Sequence, residues 1–208
     1  MATLRDGLSY VAHTPRARWL TLGLSSLNVF ITPVIGIGVA LRVARSSWGP
    51  SWVGIAEASS AVGAIVGSIS AIRWRHGRLA ARGFWVLVSQ GGALAMIGIP
   101  TRASLVAAMF AVGITAGMAS VWISSVFQQT IAASQLGRAS AVSQLGDLIL
   151  TPLTIPLFGL VVGTTSVLTA TITCGIAMSA LCLYFALRPE IRSLPYAGSF
   201  GCAVGRLD

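Results

Sequence analysis

Six long apolar runs, separated by short arginine-bearing or turn-forming segments, dictate what this chain can fold into. They cover about residues 19–41, 51–72, 84–100, 103–127, 139–162 and 166–187. A helix needs roughly 20 apolar residues to cross the hydrocarbon core of a bilayer. Inside that core every backbone N–H and C=O must be bonded within the protein, which favours helices over open strands. The third run is the shortest, and it carries no charge. Trp48-Gly49-Pro50 marks the turn before the second run, and Gly163-Thr164-Thr165 is a tight connection between the last two. The expected fold is an all-α integral membrane protein, a six-transmembrane-helix bundle over residues 19–187. Composition agrees: 55% of the 208 residues are hydrophobic and 9% are charged. Soluble domains carry about 25% charged residues, so this chain needs lipid, or a partner, around it.

The arginines set the expected orientation. All 14 basic residues are Arg. Six spans place both ends on one side. That side receives Arg5, Arg16, Arg18, Arg73, Arg75, Arg78, Arg82, Arg138, Arg188, Arg192 and Arg206, whereas the other receives only Arg42, Arg45 and Arg102. Basic loops stay in the cytoplasm, so both termini are expected there, in the inner (plasma) membrane of a cell. Trp19, Trp48, Trp52, Trp74 and Trp85 fall near span ends, where indoles favour the interface. Because the arginines are scattered between apolar runs, the net charge of +9 does not indicate nucleic-acid binding. Leu4, Leu8 and Val11 recur at helical spacing, which reads as an amphipathic cytoplasmic leader over 1–18. Residues 188–208 lose the apolar pattern and read as a flexible cytoplasmic tail.

Lipid supplies no hydrophobic drive for helix association, so small residues mark faces that pack on protein. Gly63-x-x-x-Gly67 in the second span and Gly113-x-x-x-Gly117 in the fourth read as packing motifs. In the second span Glu57, Ser60, Ala61, Ala64 and Ser68 share one face, while Ile55, Val62, Val66 and Ile69 share the lipid-directed one. In the fifth span Ser140, Ser143, Gln144, Asp147, Thr151 and Thr154 form a polar stripe, with Pro152 and Pro156 expected to bend the helix. The first span has a milder stripe of Thr21, Ser25, Asn28 and Thr32. Three polar stripes in one bundle predict a hydrated cavity. Gln90, in the third span, reads as a helix–helix hydrogen-bonding residue.

Two carboxylates at membrane depth are the most informative residues. An ionised Asp at a helix centre costs about 2.5–3.5 kcal/mol on insertion scales. Glu57 and Asp147 are therefore candidates for a proton or gating pathway, with Gln144, Asn28 and Thr151 as candidate substrate contacts. Structural pairing, of Glu57 with Arg42 or Arg45 and of Asp147 with Arg138, is the alternative.

Enzyme chemistry finds no support. The two histidines, His13 and His76, lie in expected cytoplasmic segments, so no intramembrane Ser–His pair can form. There is no HExxH, no Gly-x-Ser-x-Gly and no Walker A loop. The three cysteines have no metal-ligand spacing. No catalytic residue, cofactor or metal is expected.

Three stretches resemble the C-terminal half, spans seven to twelve, of a major facilitator superfamily transporter. The similarity is to the bacterial drug and siderophore exporters related to the enterobactin exporter. Leu4-Arg5-Asp6-Gly7-Leu8-Ser9-Tyr10-Val11-Ala12-His13-Thr14-Pro15 resembles the linker into span seven. Arg73-Trp74-Arg75-His76-Gly77-Arg78 looks like the cytoplasmic loop motif Gly-x-x-x-Asp-Arg-x-Gly-Arg. Arg75, Gly77 and Arg78 match it, whereas Trp74 and Ser70 replace its Asp and Gly. Leu136-Gly137-Arg138-Ala139-Ser140-Ala141 through Pro189-Glu190-Ile191-Arg192 is similar to the last loop and spans of that subgroup. The likeness covers about residues 4–194. It implies one half, a 3+3 repeat, of a transporter that works by alternating access, with proton-coupled efflux of a small amphipathic compound at a midplane site. It also implies a partner: a second six-span half or a second copy of the chain. The other expectation is a truncated or accessory membrane protein that acts only through such a partner.

Overall fold

The computed structural model describes residues 27–74, 79–130 and 136–188, together with Arg18 and Gly23. The side chains of residues 130, 136, 138, 139, 142, 143, 146, 147 and 150 are outside that description. So are the rest of the leader, the loop residues Arg75, Gly77 and Arg78, and the tail beyond Arg188.

Among the described residues six long helices follow one another: α1 (Leu27–Arg45), α2 (Ser51–Arg73), α3 (Leu79–Ile97), α4 (Arg102–Thr130), α5 (Leu136–Thr164) and α6 (Val167–Leu187). Four segments, Leu27–Arg45, Ser51–Arg73, Arg102–Gln129 and Val167–Leu187, are long and apolar enough to cross a membrane. In α5 the apolar part is the shorter Thr151–Thr164. This architecture is compatible with an all-α membrane protein. The third helix begins five residues before the uncharged run at Phe84 and ends at Ile97. Arg82 points outward, while Leu79, Ala80, Ala81 and Gly83 pack inward, so a single charge on the exposed side does not delay the helix.

Two local features break the regular pattern. Residues Val34–Gly38 of α1 form a π-turn, closed by Val39 N–H donating to Val34 O. Pro33 precedes it. A proline removes its own helical donor and crowds the carbonyl four residues back, here Val29 in the turn before it, so the wide turn after Pro33 is not explained by that crowding. At the other end of α1, Ser47 N–H donates to Ala44 O and Trp48 N–H to Val43 O, which satisfies the last carbonyls of the helix. Ser47 holds φ 55°, a left-handed conformation that normally favours glycine. Ser47→Gly should therefore raise stability by about 1 kcal/mol, read from thermal unfolding in detergent.

The helices pack chiefly as α2 on α4 and α3 on α6, with α3 also against α4. Glycines make the close crossings possible. A Cβ on Gly63 or Gly67 would overlap the backbone carbonyls of Phe110 and Ile114. Reciprocally, one on Gly113 or Gly117 would overlap those of Ser60 and Ala64. The two Gly-x-x-x-Gly motifs thus lie in one interface. Trp122, buried on α4, spans the same pair through Nε1–H donated to Ala71 O at 3.0 Å. Ser59 Oγ adds a bond to Val106 O. In the α3–α6 pair Gly91 faces Gly175 in the same backbone-to-backbone manner, and Ser179 Oγ donates to Val88 O at 2.9 Å. Lighter contacts join α1 to α5 and to α6.

Outward faces are aliphatic. On α2 they carry Ile55, Val62, Val66 and Ile69; on α5, Leu148, Leu153, Leu157 and Leu160; on α6, Ile172 and Ile176. Continuous exposure of this kind suits lipid and not water. α5 runs as one helix through Pro152 and Pro156.

Candidate functional site

A cavity of about 590 Å³ lies among α1, α2, α3, α4 and α5. Its deep end is set by Ser60, Gln90 and Val112, about halfway along α2, α3 and α4. From there it extends past Ser120 and Ser124 to Gln128 near the end of α4, and to Ser140 and Gln144 at the start of α5. Asn28, Ile31 and Ile35 of α1 wall another side, so the π-turn begins at the cavity edge. Of the 17 described lining residues, eight are polar and uncharged and the rest are apolar. A wall of that mixture suits an amphipathic organic molecule of moderate size.

The polar stripes contribute unequally. Asn28, Ser60, Ser140 and Gln144 line the cavity. Ser60 and Ala64 also supply the backbone on which Gly113 and Gly117 rest, so the small face of α2 is partly spent on packing. Thr154 is buried, and its hydroxyl donates to Thr151 O, closing that part of the α5 stripe on itself. Thr151 is half-buried and, like Thr154, stands away from the cavity wall. Asp147 lies on α5 one turn beyond Gln144, and its side chain is outside the described residues, as is Arg138.

Glu57 is exposed on α2, one turn from Ser60 toward the Trp48 end. The arginines available to it are engaged elsewhere. Arg45 Nη2 donates to Val162 O at 3.0 Å, where a cation complements the carbonyl end of α5. Arg42, only 9% exposed, sits 5.9 Å from the Trp48 ring. Arg102 lies over Trp48 and Trp52, at 5.9 and 4.9 Å. Trp48 is thus flanked by two guanidiniums, each attracted by the negative ring face. All three arginines of this end brace the bundle, and among the described residues none forms an ion pair with Glu57.

No known protein family, curated protein or solved structure matches this chain. The cavity must be read from its own residues.

Two parts of it escaped the sequence reading. Ser120, Ser124 and Gln128 recur every four residues on α4, a spacing that marks one helical face and was available in the sequence. Gln90 is the other. It is 1% exposed, and neither Nε2 nor Oε1 bonds any described residue. Among the described residues it does not make the interhelical hydrogen bond expected for it: its neighbours on the inward face of α3, Leu87 and Leu94, are apolar, and it is packed against the cavity wall. An unsatisfied buried amide costs about 1–3 kcal/mol, and the sequence alone does not reveal such a cost.

Proposed function

We propose that this chain is one half of a secondary-active transporter that exports a small amphipathic compound by alternating access. The observation that carries this reading is the cavity: it is walled by five helices, its described lining side chains are polar or apolar and none is charged, and it reaches about halfway along α2 and α3. Transporters place substrate near the membrane midplane, at the interface between structural repeats.

In this reading all six helices span the inner membrane with both ends cytoplasmic, and the cavity extends toward the cytoplasm. A second six-span half, or a second copy, supplies the facing wall. Asp147 and Glu57 carry protons or latch the two states. Asn28 and Gln144 contact substrate, and Thr151 lies further along the same stripe. The resemblance to drug and siderophore exporters supports efflux as the direction.

Proteoliposomes holding the full chain, with an imposed proton gradient, test the proposal on a panel of fluorescent amphipathic dyes. Wild type should move dye against its gradient. Asp147→Asn should lower the coupled rate at least about tenfold, and Glu57→Gln by less, since Glu57 lies off the cavity wall. Wild type that moves no dye would refute transport by this chain alone. Full coupling in both variants would remove the carboxylates from the mechanism.

A further inference from the structure

Resting on the transport reading, the geometry points to the substrate class: we propose that Gln90 is the recognition element of the cavity, and that it selects an uncharged compound bearing a hydrogen-bond donor and acceptor side by side, as in a carboxamide or lactam. The carboxamide of Gln90 is buried at the deep end of the cavity and has no hydrogen-bond partner among the described residues. Its position is firmly held. The next residue, Gly91, abuts the backbone of Gly175 on α6, and Leu87 and Leu94 are buried on either side of Gln90 along α3. A rigid helix thus holds one acceptor oxygen and one donor NH2 beside the chamber; both atoms are covered in this structure, so a ligand meets them after a turn of the Gln90 side chain toward the cavity.

The chemistry that satisfies both atoms at once is a second amide edge, docked antiparallel so that each partner donates once and accepts once. A lone hydroxyl or ketone satisfies only one of them. A permanent charge docked on Gln90 fits poorly, because the described lining side chains around it, Ser60, Leu87 and Val112, carry no charge to compensate a desolvated ion. The apolar wall, including Leu27, Ile31 and Phe127, takes the hydrocarbon part of such a compound. The geometry therefore assigns the polar contact to Gln90 and the bulk of the affinity to the wall.

A matched pair of probes tests this. 2-Naphthamide and methyl 2-naphthyl ketone differ only by NH2 against CH3. Equilibrium binding of each to the purified full-length protein in nanodiscs is measured by fluorescence titration, without any proton gradient. Wild type should prefer the amide by roughly tenfold or more. Gln90→Leu should abolish the preference, bind the ketone at least as well as wild type, and melt several degrees higher, because the buried orphan amide is gone. Gln90→Met serves the same purpose should the leucine variant fail to fold. Equal binding of the two probes to wild type, absence of binding by both, or a preference that survives in the variants would overturn the proposal. The transport reading stands or falls separately. Dye efflux without amide preference refutes only the role of Gln90, and amide preference without any efflux refutes only transport.

Discussion

Alanine at Gly91 is expected to lower stability by about 2–3 kcal/mol, while alanine at the very next residue, Gly92, is expected to raise it by about 0.5–1 kcal/mol. The two glycines share a helix, a depth and a composition, but not a neighbour. A Cβ on Gly91 would overlap the Gly175 carbonyl and the Ser179 hydroxyl of α6. A backbone carbonyl cannot turn aside, so the α3–α6 crossing must open, and the Ser179–Val88 hydrogen bond is strained with it. A Cβ on Gly92 meets nothing within 4 Å. There the substitution only removes the conformational freedom that glycine gives the less ordered chain. Chemical unfolding in mixed micelles reads both changes. Equal effects of the same sign at both positions would show that α3 and α6 do not cross at Gly91.

The second large effect is expected at Trp122. Trp122→Ala should cost about 2–4 kcal/mol. In a soluble core such a truncation loses transfer energy as well as leaving a cavity. For a helix surrounded by lipid the transfer part largely falls away, since the separated helix also sits in hydrocarbon, and the cavity part remains. The indole is buried on α4 against α2, where neighbouring backbone at Gly113 and Gly117 is already in contact and leaves little room for collapse. Trp122→Phe keeps most of the volume and loses the bond to Ala71 O, so it should cost about 1 kcal/mol. An alanine variant no less stable than the phenylalanine variant would show that Trp122 faces lipid.

Both effects depend on helix crossings, and crossings mark where the sequence stops being legible. The expected second run, 51–72, differs from α2 by a single residue, and the last run begins one residue before α6, because Pro50 and the capping Ser166 are local signals. Ser166 accepts from Thr169 N–H, as a helix-starting serine should. The start of α3 was less legible. A lone arginine looks like the end of a span when its direction is unknown. In the structure Arg82 occupies the outer side and the helix continues past it. The π-turn at Val34–Gly38 was not legible, because a proline disturbs the turn before it and this wide turn lies after Pro33.

The candidate site divides the same way. Asn28, Ser140 and Gln144 lie on polar stripes that periodicity exposes, and they reach the cavity. Thr154 lies on the same α5 stripe and is consumed by a local bond to Thr151 O. Gln90 reads as a helix-pairing residue because amides usually find partners in a bundle, whereas here it lies beside the chamber with none among the described residues.

The sequence by itself determined where the long apolar helices run and which of their faces are aliphatic and outward. These are local properties, set by run length, by helical period and by the requirement that backbone groups in hydrocarbon bond within their own segment. Only the tertiary structure decided that Gly63 and Gly67 meet Gly113 and Gly117 in one interface, that Gly91 is crowded while Gly92 is free, and that the orphan amide of Gln90 lies beside a chamber with the polar edges of four other helices. Those outcomes depend on how helices far apart in sequence cross, and crossing geometry is set by packing among many side chains at once.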